Sequence, residues 1–359
     1  SLGAGWLFPR WSEPFVKGLG FPIFNFYGPI PYYLALTVSL FGLTDSNAFT
    51  LSCAIAPLMA ALAMYWWMTR LLGHAGVTGR VSYLAAFGAG LAYGYAPHMQ
   101  YDIHLRGALS ESLAMVIMPL LLRAVDEILW KPRLSAVPFA TLLLGALLLT
   151  HNPMALLGVA TVVGYVIFRI LIDQFSGSAD RRGLRAVLNQ IQYLALAGVL
   201  GMAMSAFLWV PALGERDYVP YIFQRMTSTY FDAAFRLRDS WPPIQGTLLF
   251  DIDPVVRFRI GLVQMLLIAP GLAALFTALW RRGKSHTSLM PMPLVAFSAF
   301  LTLVMIVIIF LLSPASASLW RDVSLMASMQ FPWRTLAIMA ICTSVMTGIG
   351  LVWIGRLWP

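Results

Sequence analysis

Long, unbroken apolar runs constrain this chain more than any other feature. Clear runs span 47–71, 81–98, 110–126, 134–150, 153–173, 190–211, 260–280, 291–313 and 335–356. A membrane-crossing helix needs about 20 apolar residues, and inside a bilayer its backbone groups must pair within the segment. The runs are continuous rather than alternating, which favours helices over a barrel. Hydrophobic residues make up 59% of the 359 and charged residues only 11%, so a soluble core could not hide the apolar surface. The expected fold is all-α: a polytopic helical membrane protein with about nine spanning helices.

A shorter run, 30–43, follows Pro29 and contains Pro31. Its length is short for a span, and its aromatic and proline-rich flank suits an interfacial or re-entrant helix. Loop charge supports this placement. The connections with Arg70 and Arg80, with Arg123, Lys131 and Arg133, with Arg169, Arg181, Arg182 and Arg185, and with Arg281, Arg282 and Lys284 alternate with less basic ones. Lys/Arg-rich loops stay in the cytoplasm. The connections 99–109, 151–152, 212–259 and 314–334 are therefore expected outside, and an interfacial 30–43 puts residues 10–27 there too. The connection 212–259 strains the rule, because it carries Arg216, Arg225, Arg236, Arg238, Arg257 and Arg259.

The net charge of +9 lies mostly in these loops, which argues for orientation in a membrane rather than for nucleic-acid binding. Cys53 and Cys342 lie inside apolar runs and read as small buried hydrophobes, not as a disulfide or metal pair. There is no internal repeat or low-complexity tract, so residues 1–359 read as a single transmembrane domain. The chain starts at Ser1 and ends just after an apolar run. It reads as a fragment that lacks a first spanning helix and a C-terminal part.

The polar residues gather at one end of the runs. Asp102, His104, Arg106 and Glu111 follow one helix end and open the next, with His98 just before them. Ser110 can cap the helix at 111–126, and Glu111 suits its positive N-terminus. His98, His104 and Asp102 are side chains of the kind that bind a divalent metal, but their spacing matches no standard zinc motif. No metal ligand is assigned; substrate contact and plain loop structure remain open. His151-Asn152-Pro153 breaks two apolar runs with almost no linker. A turn accounts for Asn152 and Pro153 but does not require the histidine. Arg334, in Phe331-Pro332-Trp333-Arg334, opens the last helix, where a cation is disfavoured. An anionic partner would account for it: a lipid phosphate, or a protein carboxylate such as Glu111 or Asp322. Arg10, Arg106, Arg216 and Arg334 are of the type that meets a lipid phosphate at headgroup level. No nucleophilic triad, Gly-rich phosphate loop, inverted repeat or mid-helix acid is evident.

Taken together, Pro9-Arg10-Trp11, the stretch from Gly20 to Ile30, Arg106-Gly107-Ala108-Leu109-Ser110-Glu111, Thr150-His151-Asn152 and Phe331 to Arg334 resemble a bacterial membrane family. That family goes by the name 6-pyruvoyl-tetrahydropterin synthase-related and is similar to the glycosyltransferase C superfamily. The resemblance covers almost the whole chain. It implies a glycosyltransferase C-like fold in the bacterial cytoplasmic membrane, with the motif face outward, handling a polyprenyl-phosphate-linked sugar. In that superfamily the catalytic acid follows the first spanning helix; here the only acid between Ser1 and Thr44 is Glu13. The resemblance therefore leaves the catalytic residue unassigned. Arg10, Asp102, His104, Arg106, Glu111, His151, Asn152 and Arg334 are the candidate substrate-binding residues. The expected partners are a lipid-linked sugar or lipid phosphate, and membrane lipids. The rival reading is a non-catalytic scaffold subunit docked to other membrane subunits. A haem- or pigment-binding subunit, resting on His98, His104 and His151, and a secondary transporter are further alternatives.

Overall fold

The computed structural model describes residues 8, 10–12, 16–175, 183–215, 218, 259–282, 290–329 and 331–357. Among them the architecture is all-α, with no strand beyond an isolated bridge between Ser12 and Phe21. The helices are α1 (Ile30–Ser39), α2 (Asp45–His74), α3 (Arg80–Gly94), α4 (Pro97–His104), α5 (Leu109–Trp130), α6 (Val137–Leu148) and α7 (Asn152–Phe175). After them come α8 (Leu184–Met204), α9 (Ala206–Gly214), α10 (Leu262–Arg282), α11 (Met292–Leu312), α12 (Ala317–Asp322), α13 (Ser324–Ser328) and α14 (Leu336–Leu357).

Six helical segments of the described residues are long and apolar enough to cross a membrane: those of α2, α7, α8, α10, α11 and α14. This fits an integral membrane protein. The three other expected spans differ in instructive ways. The run 81–98 is split, because Pro97 starts a new helix and leaves α3 only 15 residues long. The run 134–150 yields a shorter apolar helix, Leu134–Leu148. The run 110–126 becomes α5, 22 residues long, but Glu111, Arg123, Asp126 and Glu127 interrupt its apolar character. The run 190–211 breaks at Ser205 into α8 and α9. Helix α1 has 10 residues and rises about 15 Å, roughly half of a hydrocarbon core. Most of the 212–259 connection lies outside the described residues.

Small residues set the packing. Helix α2 packs on α3 and α5, and α14 on α3 and α10. The buried face of α3 is Ser82, Ala85, Ala86, Ala89, Gly90 and Ala92. Without a hydrophobic drive between helices in lipid, close backbone approach supplies the attraction. A Cβ on Gly90 would sit 2.7 Å from the Ala61 carbonyl oxygen, and one on Gly271 only 2.4 Å from that of Met346. Helix α14 is the centre of the bundle: 78% of its apolar window is buried, against 17% for α8. Cys53 and Cys342 are buried free thiols.

Gly271→Val should push α10 off α14 and destabilise the protein by about 1–3 kcal/mol, the scale of overpacking. Gly164→Ala, which meets nothing within 4 Å, should leave the Tm in detergent unchanged or slightly higher. Equal Tm values for both variants would contradict this packing.

Candidate functional site

Helices α4 and α5 meet at a sharp corner. Gly107 adopts a φ of 58°, a left-handed conformation that a Cβ would strain, and the Ala108 N–H donates to the Asp102 carbonyl at 2.7 Å. The corner folds Arg106 back over the start of α5. Ser110 is not the cap expected of it. Helix α5 begins at Leu109, its N-cap position is Ala108, and no side chain caps it. Glu111 does occupy the first turn.

Glu111 is 2% exposed and is the point on which the site converges. Arg106 donates to both of its oxygens, with the Nη2 contact to Oε1 at 3.2 Å. Arg334 Nε donates to Oε1 at 2.9 Å, and its Nη1 donates to the Met329 carbonyl at 2.6 Å. The Arg334 guanidinium also lies 5.0 Å from the Phe331 ring centre, a cation–π distance. A buried carboxylate is tolerable only with such pairing.

His151 sits in the break between α6 and α7. Its Nδ1 accepts from the Met154 N–H at 3.3 Å, so the imidazole caps α7. That bond places the proton of the neutral ring on Nε2, which faces Glu111 Oε1 at 3.7 Å. Asp102, 0% exposed, accepts from Arg106 Nη1 through Oδ1 at 2.5 Å; its Oδ2 lies 3.6 Å from His98 Nε2. His98 belongs to this cluster through its place one turn before Asp102 on α4.

The structure thus brings Asp102, Arg106, Glu111, His151 and Arg334 together. The other three candidates stand apart. His104 Nε2 lies 3.2 Å from Gln100 Oε1 on the exposed side of α4. Asn152 donates to the Phe26 carbonyl at 3.1 Å and so anchors the N-terminal segment. Arg10 belongs to a half-exposed clasp: its Nε donates to Asn25 Oδ1 at 2.7 Å and its Nη2 pairs with Glu215 at 2.5 Å. The 25–30 segment reaches the same end of the bundle as His151, since the Ile30 N–H also donates to the Leu149 carbonyl.

A second polar centre, near the other end of α5, corrects the expectation of no mid-helix acid. Asp126 is 0% exposed and accepts from Trp67 Nε1 at 2.9 Å, Tyr165 OH at 2.6 Å and Arg169 Nη1 at 3.0 Å. It stands at the boundary of the expected span 110–126, so it reads as a loop-edge acid until the helix is seen to continue to Trp130. Arg123 and Arg169, expected in loops, are helical, and Arg123 donates to the Trp66 carbonyl at 2.6 Å. The one available signal was Tyr165, four residues before Arg169 on an otherwise apolar helix.

The chain matches no protein-family model and no curated protein.

Glu111→Gln should cost about 3–5 kcal/mol, because it leaves two guanidinia around a neutral amide, with Arg334 buried. Glu215→Gln should cost about 0–1 kcal/mol, since that clasp is solvated. Similar losses in thermal unfolding would contradict the ranking.

Burial, and next the Arg334 charge, lower the His151 pKa from its ordinary 6.5 to about 3; burial lowers that of His98 to about 4. At these two imidazoles the folded state therefore takes up fewer protons than the unfolded one, and their contribution is complete above about pH 6.5 and lost as the pH falls below it. Burial raises the Asp102 carboxyl, which acts in the opposite direction, so the imidazole share is read by difference: between pH 7 and 5 His151→Gln should gain Tm relative to the wild type. An unchanged difference would show that His151 is already charged in the folded protein.

Proposed function

We propose that this chain is a glycosyltransferase-like membrane protein that receives the phosphate of a polyprenyl-phosphate-linked sugar at the Glu111 centre. The carrying observation is that Arg106 and Arg334, from distant parts of the chain, converge on one buried carboxylate at one end of the bundle. Two guanidinia held in place by a shared carboxylate form a preorganised anion site, and guanidinium forks suit phosphate geometry. Arg106 is the group that reaches the ligand, its side chain being 25% exposed, while Arg334 holds Glu111 from behind. In a transfer reaction such cations stabilise the charge that develops on the leaving phosphate.

Placement in a membrane supports the reading. Arg70, Arg123 and Arg169 surround the Asp126 end of α5, and positive residues favour the cytoplasm. The Glu111 end then faces outward. Fifteen residues of α5 separate the two centres by about 22 Å, close to the thickness that a spanning helix bridges. Counting α3, α5 and α6 as crossings would give the nine of the glycosyltransferase C-like plan, in the bacterial cytoplasmic membrane. The order of the Arg10, Arg106, His151 and Arg334 motifs supports the same family.

The second reading, a non-catalytic scaffold subunit, is favoured by one observation. Arg334 is 4% exposed and bonded to protein groups, as a structural lock would be. Arg106→Ala separates the two. On the transferase reading it weakens binding of a polyprenyl phosphate by about 1.5–3 kcal/mol, the scale of a charge-assisted hydrogen bond. On the scaffold reading the Tm falls and lipid-phosphate binding is unchanged from the wild type. Titration in nanodiscs alongside thermal unfolding measures both.

A further inference from the structure

We infer that Asp102 is held as a neutral carboxylic acid beneath the Glu111 centre, where it positions Arg106 without adding a second negative charge. The consequence for ligand choice rests on the proposed phosphate reading; the state of Asp102 does not.

Asp102 is fully buried on α4 and uses only one of its oxygens. Oδ1 accepts from Arg106, whereas Oδ2 has no hydrogen-bond partner among the described residues. An ionised carboxylate spreads its charge over both oxygens, and a dry, unpaired one carries a large desolvation penalty. A proton on Oδ2 removes that penalty. It also lets Asp102 meet the Glu111 carboxylate as a donor instead of as a second anion. His98 Nε2 is 3.6 Å from Oδ2, and burial keeps that ring neutral near pH 7, so it gives Asp102 no second cation.

The neighbours decide which carboxyl keeps the proton. The groups facing Asp102 are His98 on its own helix, Arg106 at the corner, Glu111 on α5 and, beyond it, Arg334 and His151. Glu111 has two guanidinia, one of them donating to both its oxygens; Asp102 has one of the same two, and lies within hydrogen-bond reach of Glu111 itself. Two acids that share one cation cannot both stay ionised at low cost, and the better-paired one does. Burial, and then the Glu111 charge, push the Asp102 carboxyl well above its ordinary range, in the same direction.

A neutral Asp102 withdraws no charge from Arg106, so the centre suits an anion of the phosphate class better than it would with Asp102 ionised. His98, Asp102 and Glu111 also offer donor atoms within 4.8 Å of one another, as a divalent ion would need. A dication there would sit beside Arg106 and Arg334, which bond the same two carboxylates, so a proton is the better occupant.

The test uses the full chain in nanodiscs. Infrared difference spectroscopy between wild type and Asp102→Asn should show the carbonyl stretch of a protonated, buried carboxyl group in the wild type at pH 7, absent from the variant. Its absence from the wild type overturns the inference. Titrations with inorganic phosphate and with a short-chain polyprenyl phosphate should give affinities for Asp102→Asn within twofold of wild type. Asp102→Ala, which removes the support of Arg106, should bind about tenfold more weakly. Tenfold tighter binding by Asp102→Asn would mean that a negative charge had been removed, and would overturn the inference. So would one equivalent of Mn²⁺ bound by the wild type and lost in the variant. Binding of the lipid alone identifies a headgroup, and binding of both probes a free phosphate. If neither binds, the proposed function fails, and the infrared band still decides the state of Asp102.

Discussion

The Glu111 carboxylate is the constraint on which one whole end of this molecule depends. An ionised acid in a bundle of apolar helices must be paired or the fold pays several kcal/mol. Its partners come from the α4–α5 corner, the α6–α7 break and the entry to α14. Each of these is a place where a helix stops or starts, and each carries a backbone need of its own. Gly107 permits the corner, His151 caps α7, and the 332–335 turn leads into α14. The same side chains therefore end the helices and build the polar centre.

The apolar runs made much of the architecture legible, because length and hydropathy are local properties. Helices α2, α7, α10, α11 and α14 fall within a few residues of the runs that forecast them. Legibility failed where a local signal had two meanings. Pro97 inside the run 81–98 starts a helix rather than kinking one, and Ser110 has the chemistry of a cap but stands one residue inside the helix. At the candidate site, residue types suggested a polar face, and a carboxylate partner for Arg334 was one of two forecasts. Which carboxylate was not readable: Asp322 is close in sequence yet pairs with exposed Arg321, while Glu111 lies 223 positions away. Pairing across that separation is a property of packing, which no spacing rule contains.

Helix α5 carries a buried acid near each end, Glu111 and Asp126, each matched by cations from other helices. The Asp126 centre has its acceptor oxygens filled by an indole, a phenol and a guanidinium, so it is a rigid tie between α2, α5 and α7. The Glu111 centre differs in kind: one of its two cations, Arg106, is a quarter exposed. One helix thus joins a closed polar lock to a centre that reaches the surface.

The distance along the chain between Glu111 and Arg334 has a consequence for biosynthesis. A ribosome feeding this chain into a membrane delivers Glu111 with Arg106 at once, but the second guanidinium arrives only when the entry to α14 emerges, 223 residues later. During that interval the acid lacks one of the two guanidinia that enclose it. Arrival of Arg334 completes the pairing and brings in α14, the most buried of the six candidate spans. A nascent chain that stops before α14 therefore lacks both the cation that completes the Glu111 centre and the span against which α3 and α10 pack.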